Sequence, residues 1–541
     1  MEQKKLNRRS FIELITTLGA TYTIVPMALA SCTQQKWPTT DELFDNRLKG
    51  IQPSLLDDVV LADGLQFRIL IQFNEDIGNN EKFGFNNDFL SFLPDSSNPS
   101  QALLWVNHEY VNTQFVSKRK KGDVLTKELC DLEMYHVGGS ILHLDNINGE
   151  WTVNKSHASN KRFNGHTPFT FSNGVKIQGT NEPIGTLANC AGGQTPWGTF
   201  LSCEENYDSC FGERDWETMS RIPSYMGWEM HYNYPPEHYG WVVEIDPQTG
   251  QGIKHVALGR CAHESATVVP LDNGLVAVYT GDDQEDQCLY KFISSEKNAL
   301  NHGTLYVANI EQGQWIPVVW DQHKVLQEKF KDQTEVLIRL REASDLLGGS
   351  KLDRPEDIEI DPLNGDVYVA LTNNKPKGNH FGSILRIVEE NGKHDALVFK
   401  AEQFRAGGPE SNFACPDNMV FDKSGNLWFT SDISGSKINK EPYTPFGNNG
   451  LFVIPRHGLD AGKVIQVASG PVDAEFTGPC FSPDQKTLFL CVQHPGENSP
   501  GDLSTLTSHW PSKNGIPSPA VIAITGDVLT NLTQINLPEE Q

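Results

Sequence analysis

No CxxC pair occurs among the ten cysteines of this 541-residue chain, which argues against a zinc knuckle. Setting aside Cys32 near the N-terminus, the rest lie at scattered spacings in an odd number, and no dense disulfide framework is expected. Beyond Leu29 there is no unbroken run of 18 or more apolar residues, so the mature chain is not expected to span a membrane. Positive charge is scarce: 44 Lys and Arg against 69 Asp and Glu give a net charge of −25. That balance argues against nucleic acid as a partner. No serine sits in a recognisable Ser/His/Asp nucleophile motif either, which disfavours a covalent serine mechanism.

What is plentiful is turn chemistry. With 46 glycines, 31 prolines and 38% hydrophobic residues, the chain suits a turn-rich β protein, not a coiled coil or a disordered one. Its N-terminus reads as an export signal. Asn7-Arg8-Arg9-Ser10-Phe11-Ile12 resembles the twin-arginine motif, and an apolar segment follows to Leu29. Leu29-Ala30-Ser31-Cys32 resembles a bacterial lipobox, which implies acylation of Cys32 and a lipid anchor at the periplasm or cell surface. Residues 1–31 are therefore expected to be signal, 32–60 a tether and lead-in, and 61–541 one catalytic domain.

A hairpin unit recurs along that domain: a polar cluster, an apolar strand, an Asp/Asn/Gly turn and a second strand ending in polar residues. Copies occupy 189–206, 263–283, 354–374, 415–432 and 476–497, and LLWVNHEY (103–110) preserves the second strand of another. Six copies predict an all-β fold, a six-bladed β-propeller, with peripheral insertions near 207–240 and 321–350. The second insertion has helical spacing.

In an antiparallel hairpin the start of the first strand lies beside the end of the second. Cys190 should therefore sit near Glu204 and Glu205, at the open end opposite the turn. His263 and Glu264 should lie near Asp282 and Asp283, and Glu356 and Asp357 near Asn373 and Asn374. Asp417 and Asn418 should lie near Asp432, and Thr477 near Gln493 and His494; Glu109 ends its own strand in the same sense. In a propeller all these ends face one mouth of the central channel. So many carboxylates repel unless cations separate them, and Asp, Glu and Asn oxygens suit calcium. Cys190 does not fit a pure calcium site, because a thiolate selects a transition metal such as iron, copper or zinc. Cys203, inside an apolar strand, reads as packing. Arg354 at the same mouth would neutralise the carboxylates or bind an oxyanion, and Arg162 with Lys161 could also reach an anion.

At these residues the chain resembles the PhoX-type alkaline phosphatases, exported six-bladed propellers. The shared motifs are NHEY (107–110), NCAGGQTPWGT with CEEN (189–206), GRCAHESA (259–266), RPE (354–356), CPDN with LWFTSD (415–432), QHPGE (493–497) and SHWP (508–511). The resemblance implies hydrolysis of small phosphate monoesters at a cluster of calcium and iron, by a protein expected to be a monomer. Carried over by motif, Cys190 would be a thiolate ligand to iron. Glu109, Glu205, Glu264, Glu356 and Asp417 would be carboxylate ligands, with Glu204 and Asp357 as alternatives, and Arg354 a catalytic phosphate clamp. Where this chain reads RPEDIEI, the family usually has an aromatic residue after RPE. Two other readings of the residues remain: a calcium-dependent propeller lactonase or esterase, and a non-catalytic binding propeller with structural calcium. Neither has a use for the Cys190 thiolate.

Overall fold

The computed structural model describes residues 47–533 except 121 and 502. The twin-arginine segment and Cys32 lie outside the described residues. Six sheets of four or five strands follow one another along the chain, antiparallel except where Thr170–Phe171 runs parallel to Gln251–Lys254 at one outer edge. Their innermost strands are Asn87–Pro94, Asn189–Gln194, Thr267–Pro270, Pro355–Ile360, Pro416–Phe421 and Glu475–Phe481. We number the blades one to six in that order. Blade one has a complete inner hairpin, because Asn87–Pro94 supplies the first strand that the sequence pattern did not reveal.

Alternation of strand residues gives each sheet two faces, and most are buried because each blade packs against two neighbours. Trp105, Phe163, Phe200 and Val243 fill the space between blades one and two. Equivalent apolar layers separate the remaining pairs around the ring. The ring closes by mixing distant segments: blade six takes Ala520–Thr525 and then, outermost, Gln66–Gln72. Residues ahead of that strand do more than tether. Val60–Leu61 pairs with the outer edge of blade five, and Leu48 and Val59 are buried.

The 321–350 insertion is helical, with helices Lys324–Lys329, Gln333–Ile338 and Leu340–Leu347. Leu326, Val336, Leu340 and Ala343 join the core between blades two and three. Cys203 is buried in the same core, as a packing residue should be.

The innermost strands share a departure from regular pairing. In blades one, two, four and five the register slips by one residue between Asn87 and Leu90, Asn189 and Gly192, Pro355 and Ile358, and Pro416 and Met419. Two residues there oppose one, a β-bulge that bends the strand and re-aims a side chain. The residue just inside each slip is Asp88, Cys190, Glu356 or Asp417. Immediately before each of these strands stands a residue with positive φ: Asn86, Ala188, Arg354 and Cys415, at 39°, 51°, 56° and 51°. Left-handed backbone is unfavourable for a non-glycine residue, by roughly 1–3 kcal/mol. Its recurrence at one position in four blades shows that the mouth geometry is imposed by the fold. In blade six the slip comes later, between Thr477 and Cys480, and Glu475, not Thr477, pairs with Gln493.

Candidate active site

The bulged strand ends converge on a cavity of about 320 Å³ at one end of the central channel. Asp88, Glu109, Cys190, Glu205, Glu264 and Glu356 line it, together with Asp283, Arg354, Asp417, Asp432 and Glu475. Cys190 is central: its Sγ lies 3.2 Å from Asp88 Oδ2 and 3.0 Å from Glu264 Oε1. Three overlapping sets of donor atoms lie within 4.8 Å of one another: Asp88 with Glu109 and Cys190; Cys190 with Glu205 and Glu264; Glu264 with Glu356 and Asp417. The sets share Cys190 and Glu264, so they form one continuous arc across five blades.

Neutralisation within the arc is sparse. Gln493 donates to Asp88 (3.1 Å) and Glu109 (2.7 Å), Asn206 to Glu205 (2.7 Å), and the Thr372 hydroxyl to Glu356 (2.7 Å). Asp88 Oδ1 and Glu264 Oε2 are buried with no hydrogen-bond partner. Burial raises the carboxyls of Asp88, Glu205, Glu264 and Glu356 well above the usual range, and neighbouring carboxylates raise them further. Burial also pushes Glu109 up to about 7 and Asp417 up to about 8. The Cys190 thiol is raised by burial, then by Asp88 and Glu264, so nothing in the chain itself favours a thiolate there. Cations reverse each of these effects, deprotonating a coordinating thiol and pairing with the carboxylates. The orphaned oxygens and the mixed sulfur and oxygen donors therefore fit a polynuclear metal site.

Arg354 is the cation of this mouth that meets the carboxylates. Its Nε and one NH2 nitrogen reach both oxygens of Asp283, at 2.8 and 2.7 Å. Glu356 lies 2.9 Å away and Asp432 3.4 Å. Burial alone would lower the guanidinium pKa, but these three carboxylates more than offset it. With 22% of its side chain exposed, Arg354 faces the open cavity from a fixed position. Asp282, next to Asp283, is held from behind by Arg341 of the helical insertion, with an Nε to Oδ2 distance of 2.8 Å.

Six of the expected residues thus share the cavity with Arg354: Glu109, Cys190, Glu205, Glu264, Glu356 and Asp417. Three others are placed elsewhere. Glu204 points to the opposite side of its strand from Glu205, where it accepts from Lys254 (2.7 Å), Thr186 and the backbone of Gly240 and Trp241. Asp357 accepts from the backbone of Ile358 and Met419, both at 2.8 Å, and lines a second cavity farther along the channel. Arg162 is buried against blade one, donating to the carbonyls of Tyr135, Val137 and Gly139. Alternation explains the two acids, because adjacent strand residues face opposite ways. Arg162 serves backbone carbonyls at the end of the helix Lys127–Tyr135 and the start of the strand Gly138–Ile147. Asp88 and Glu475 line the mouth without having been anticipated, as do Asp283 and Asp432 beyond their placement at strand ends.

A profile of the alkaline phosphatase PhoX family matches residues 47–496. The chain belongs to the PhoX alkaline phosphatase family. The solved structure of Pseudomonas fluorescens PhoX in complex with vanadate, a transition state analogue, is similar at 30% identity and a TM-score of 0.79. That similarity covers 89% of this chain and 98% of that one. A Dyadobacter fermentans protein of unknown function matches at 9% identity and a TM-score of 0.39, over 86% of this chain and all of that one. A gluconolactonase from Xanthomonas campestris matches at 10% and 0.30, over 85% of this chain and 98% of that one. No curated protein sequence matches the chain. As a PhoX phosphatase the protein is a metal-dependent phosphomonoester hydrolase on a six-bladed propeller. Among the described residues no helix is long and apolar enough to cross a membrane.

Proposed function

We propose that this phosphatase holds iron through Cys190 and calcium through the surrounding carboxylates, and that Arg354 binds the phosphoryl group of a small phosphate ester. The observation that carries the reading is the position of Cys190, within 3.2 Å of Asp88 and 3.0 Å of Glu264 in an otherwise oxygen-lined arc. A soft donor among hard ones calls for two kinds of cation. Glu205 and Glu264 would share the iron with Cys190, Asp88 and Glu109 would flank it, and Glu356 with Asp417 would hold calcium. When bound, these cations supply Lewis-acid charge that draws electron density from the phosphoryl oxygens.

The chain's own residues supply orientation. Arg354, clamped by Asp283, presents its remaining N–H groups to the cavity, where they meet equatorial phosphoryl oxygens as negative charge builds. Clamping before substrate arrives lowers the entropy lost on binding. The ring of carboxylates repels a free phosphate dianion unless cations are present, so substrate binding and metal loading are coupled.

We also infer export by the twin-arginine route, with the mature chain anchored by a lipid on Cys32; Arg8-Arg9 and Leu29 to Cys32 support this. The test of function is elemental analysis of native protein beside its visible spectrum and its turnover of a phosphate monoester. Iron with calcium and a thiolate-to-iron charge-transfer band is the expected result. Calcium alone would overturn the iron assignment.

A further inference from the structure

The rim of the mouth is electrostatically lopsided. On the side of blades five, six and one it is built from Tyr110, Ser434, Gly435 and Glu497. The Tyr110 hydroxyl donates to Glu497 Oε1 at 2.7 Å, and Asn498 ties the same loop to the Gly435 carbonyl at 2.7 Å. That side presents a carboxylate fixed in place. On the far side, beyond the second strand of blade four, the rim residue is Lys375.

Lys375 differs from Arg354 in having no carboxylate of its own. Its backbone N–H donates to Glu285 Oε1 at 3.2 Å. The neighbouring acids are engaged elsewhere: Asp286 with Asn374 and Lys377, and Asp432 with Arg354. Among the described residues, the Lys375 ammonium has no acidic partner within ion-pairing distance, although the side chain is half-buried and lines the cavity. It also stands three residues beyond Thr372, whose hydroxyl meets Glu356, and therefore outside the layer of the carboxylate arc. An unpaired cation on a half-buried stem, in a chain with 25 excess negative charges, is poised for an anion from outside.

A phosphoryl group held at Arg354 must direct its leaving group outward, since the carboxylate arc occupies the inner wall. The leaving group then passes between Lys375 and Glu497. We propose that Lys375 selects phosphate esters whose leaving group bears a second anionic group, a phosphate or a carboxylate, with Glu497 repelling such a group from the opposite rim. The inference rests on Arg354 as the phosphoryl-binding residue. It adds a substrate class: bisphosphates and phosphorylated acids over esters of neutral alcohols.

The test compares kcat/KM of the metal-loaded enzyme for a sugar 1,6-bisphosphate and for the matching 6-phosphate. In wild type the ratio favours the bisphosphate, and ~1 M salt erodes that preference because charges at the rim are screened within a few ångströms. Lys375→Met lowers the ratio about tenfold, through KM, as expected for loss of one charge-assisted contact. Lys375→Arg restores most of it. A ratio unchanged in Lys375→Met, with both substrates still turned over, overturns the role of Lys375 and leaves the phosphatase reading intact. If the wild-type enzyme hydrolyses neither ester, phosphoryl binding at Arg354 is overturned, and selection by Lys375 falls with it.

Discussion

Cys190 Sγ, on the inner strand of blade two, and Glu264 Oε1, three residues ahead of the inner strand of blade three, lie 3.0 Å apart with Glu264 fully buried. They belong to different hairpins 74 residues apart in the chain, and each serves two of the three donor sets in the arc. A change at either position would therefore disturb more than one donor set.

Cys190→Ser is expected to lower iron content and phosphatase activity together, activity by at least about a hundredfold, since a hard and poorly ionised hydroxyl replaces the soft ligand. Metal analysis and turnover of the purified, folded variant check this. Full iron with full activity would make Cys190 a packing residue.

Arg354→Ala should separate the two quantities. Metals stay bound while kcat/KM falls by roughly 2–4 kcal/mol in transition-state stabilisation, the size seen when one oxyanion donor is removed. Loss of metal alongside activity would instead mean that Arg354 chiefly holds Asp283 and Glu356 in place.

Stripping the metals should make stability fall as pH rises. Without cations, burial holds the folded carboxyls above their unfolded values, Glu109 to about 7 and Asp417 to about 8. The folded chain then binds more protons than the unfolded one, so their contribution is fully present below the unfolded value of about 4 and is lost as pH climbs through about 8. The difference in Tm between metal-loaded and chelated protein, followed from pH 5 to 9, should widen upward. A constant difference would contradict the burial of these acids in a metal-binding mouth.

Glu204→Ala should damage the fold and spare the metal. Glu204 and Lys254 are both fully buried and 2.7 Å apart, and removing one partner of such a pair leaves the other charge uncompensated, costing about 3–5 kcal/mol. Chemical denaturation reads the loss, and metal content per folded molecule should match wild type. Depleted metal in the folded fraction would put Glu204 back among the ligands.

Cys32→Ser is expected to release soluble protein with the activity of the anchored form, because Cys32 precedes in sequence every residue that builds the propeller. Fractionation of cells followed by phosphatase assay decides it. A wild-type N-terminus that is unmodified and well downstream of Cys32 would exclude the anchor.

Much of the site was legible because antiparallel pairing is a local rule. Polar residues closing each hairpin had to meet the residues opening it, and Glu109, Cys190, Glu205, Glu264, Glu356 and Asp417 meet at the mouth on that ground. The bulges were not legible. One inserted residue moves a side chain from one face of the sheet to another without a compositional mark, which is why Glu356 could not be told from Asp357. Asp88 escaped notice because NDFLSFLP has little clean alternation and its hairpin partner lies across a polar turn. Arg162 shows the converse limit: a charge is visible in the sequence, but the carbonyls it serves are a property of the folded blade.

The pairing of Gln66–Gln72 with Ala520–Thr525 also sets the order of events in the life of the molecule. During synthesis Asp88 emerges early and Glu475 late, and the strand that locks them into one ring is made last of all. Until then the carboxylates of blade one lack Gln493 of blade six, which donates to Asp88 and Glu109 in the closed ring. Cation capture must therefore follow ring closure, and a chain interrupted before residue 520 should be inert instead of weakly active. Cations held by the donor arc would join blade one to blade five as a clasp, so that opening the ring and releasing metal would become linked events.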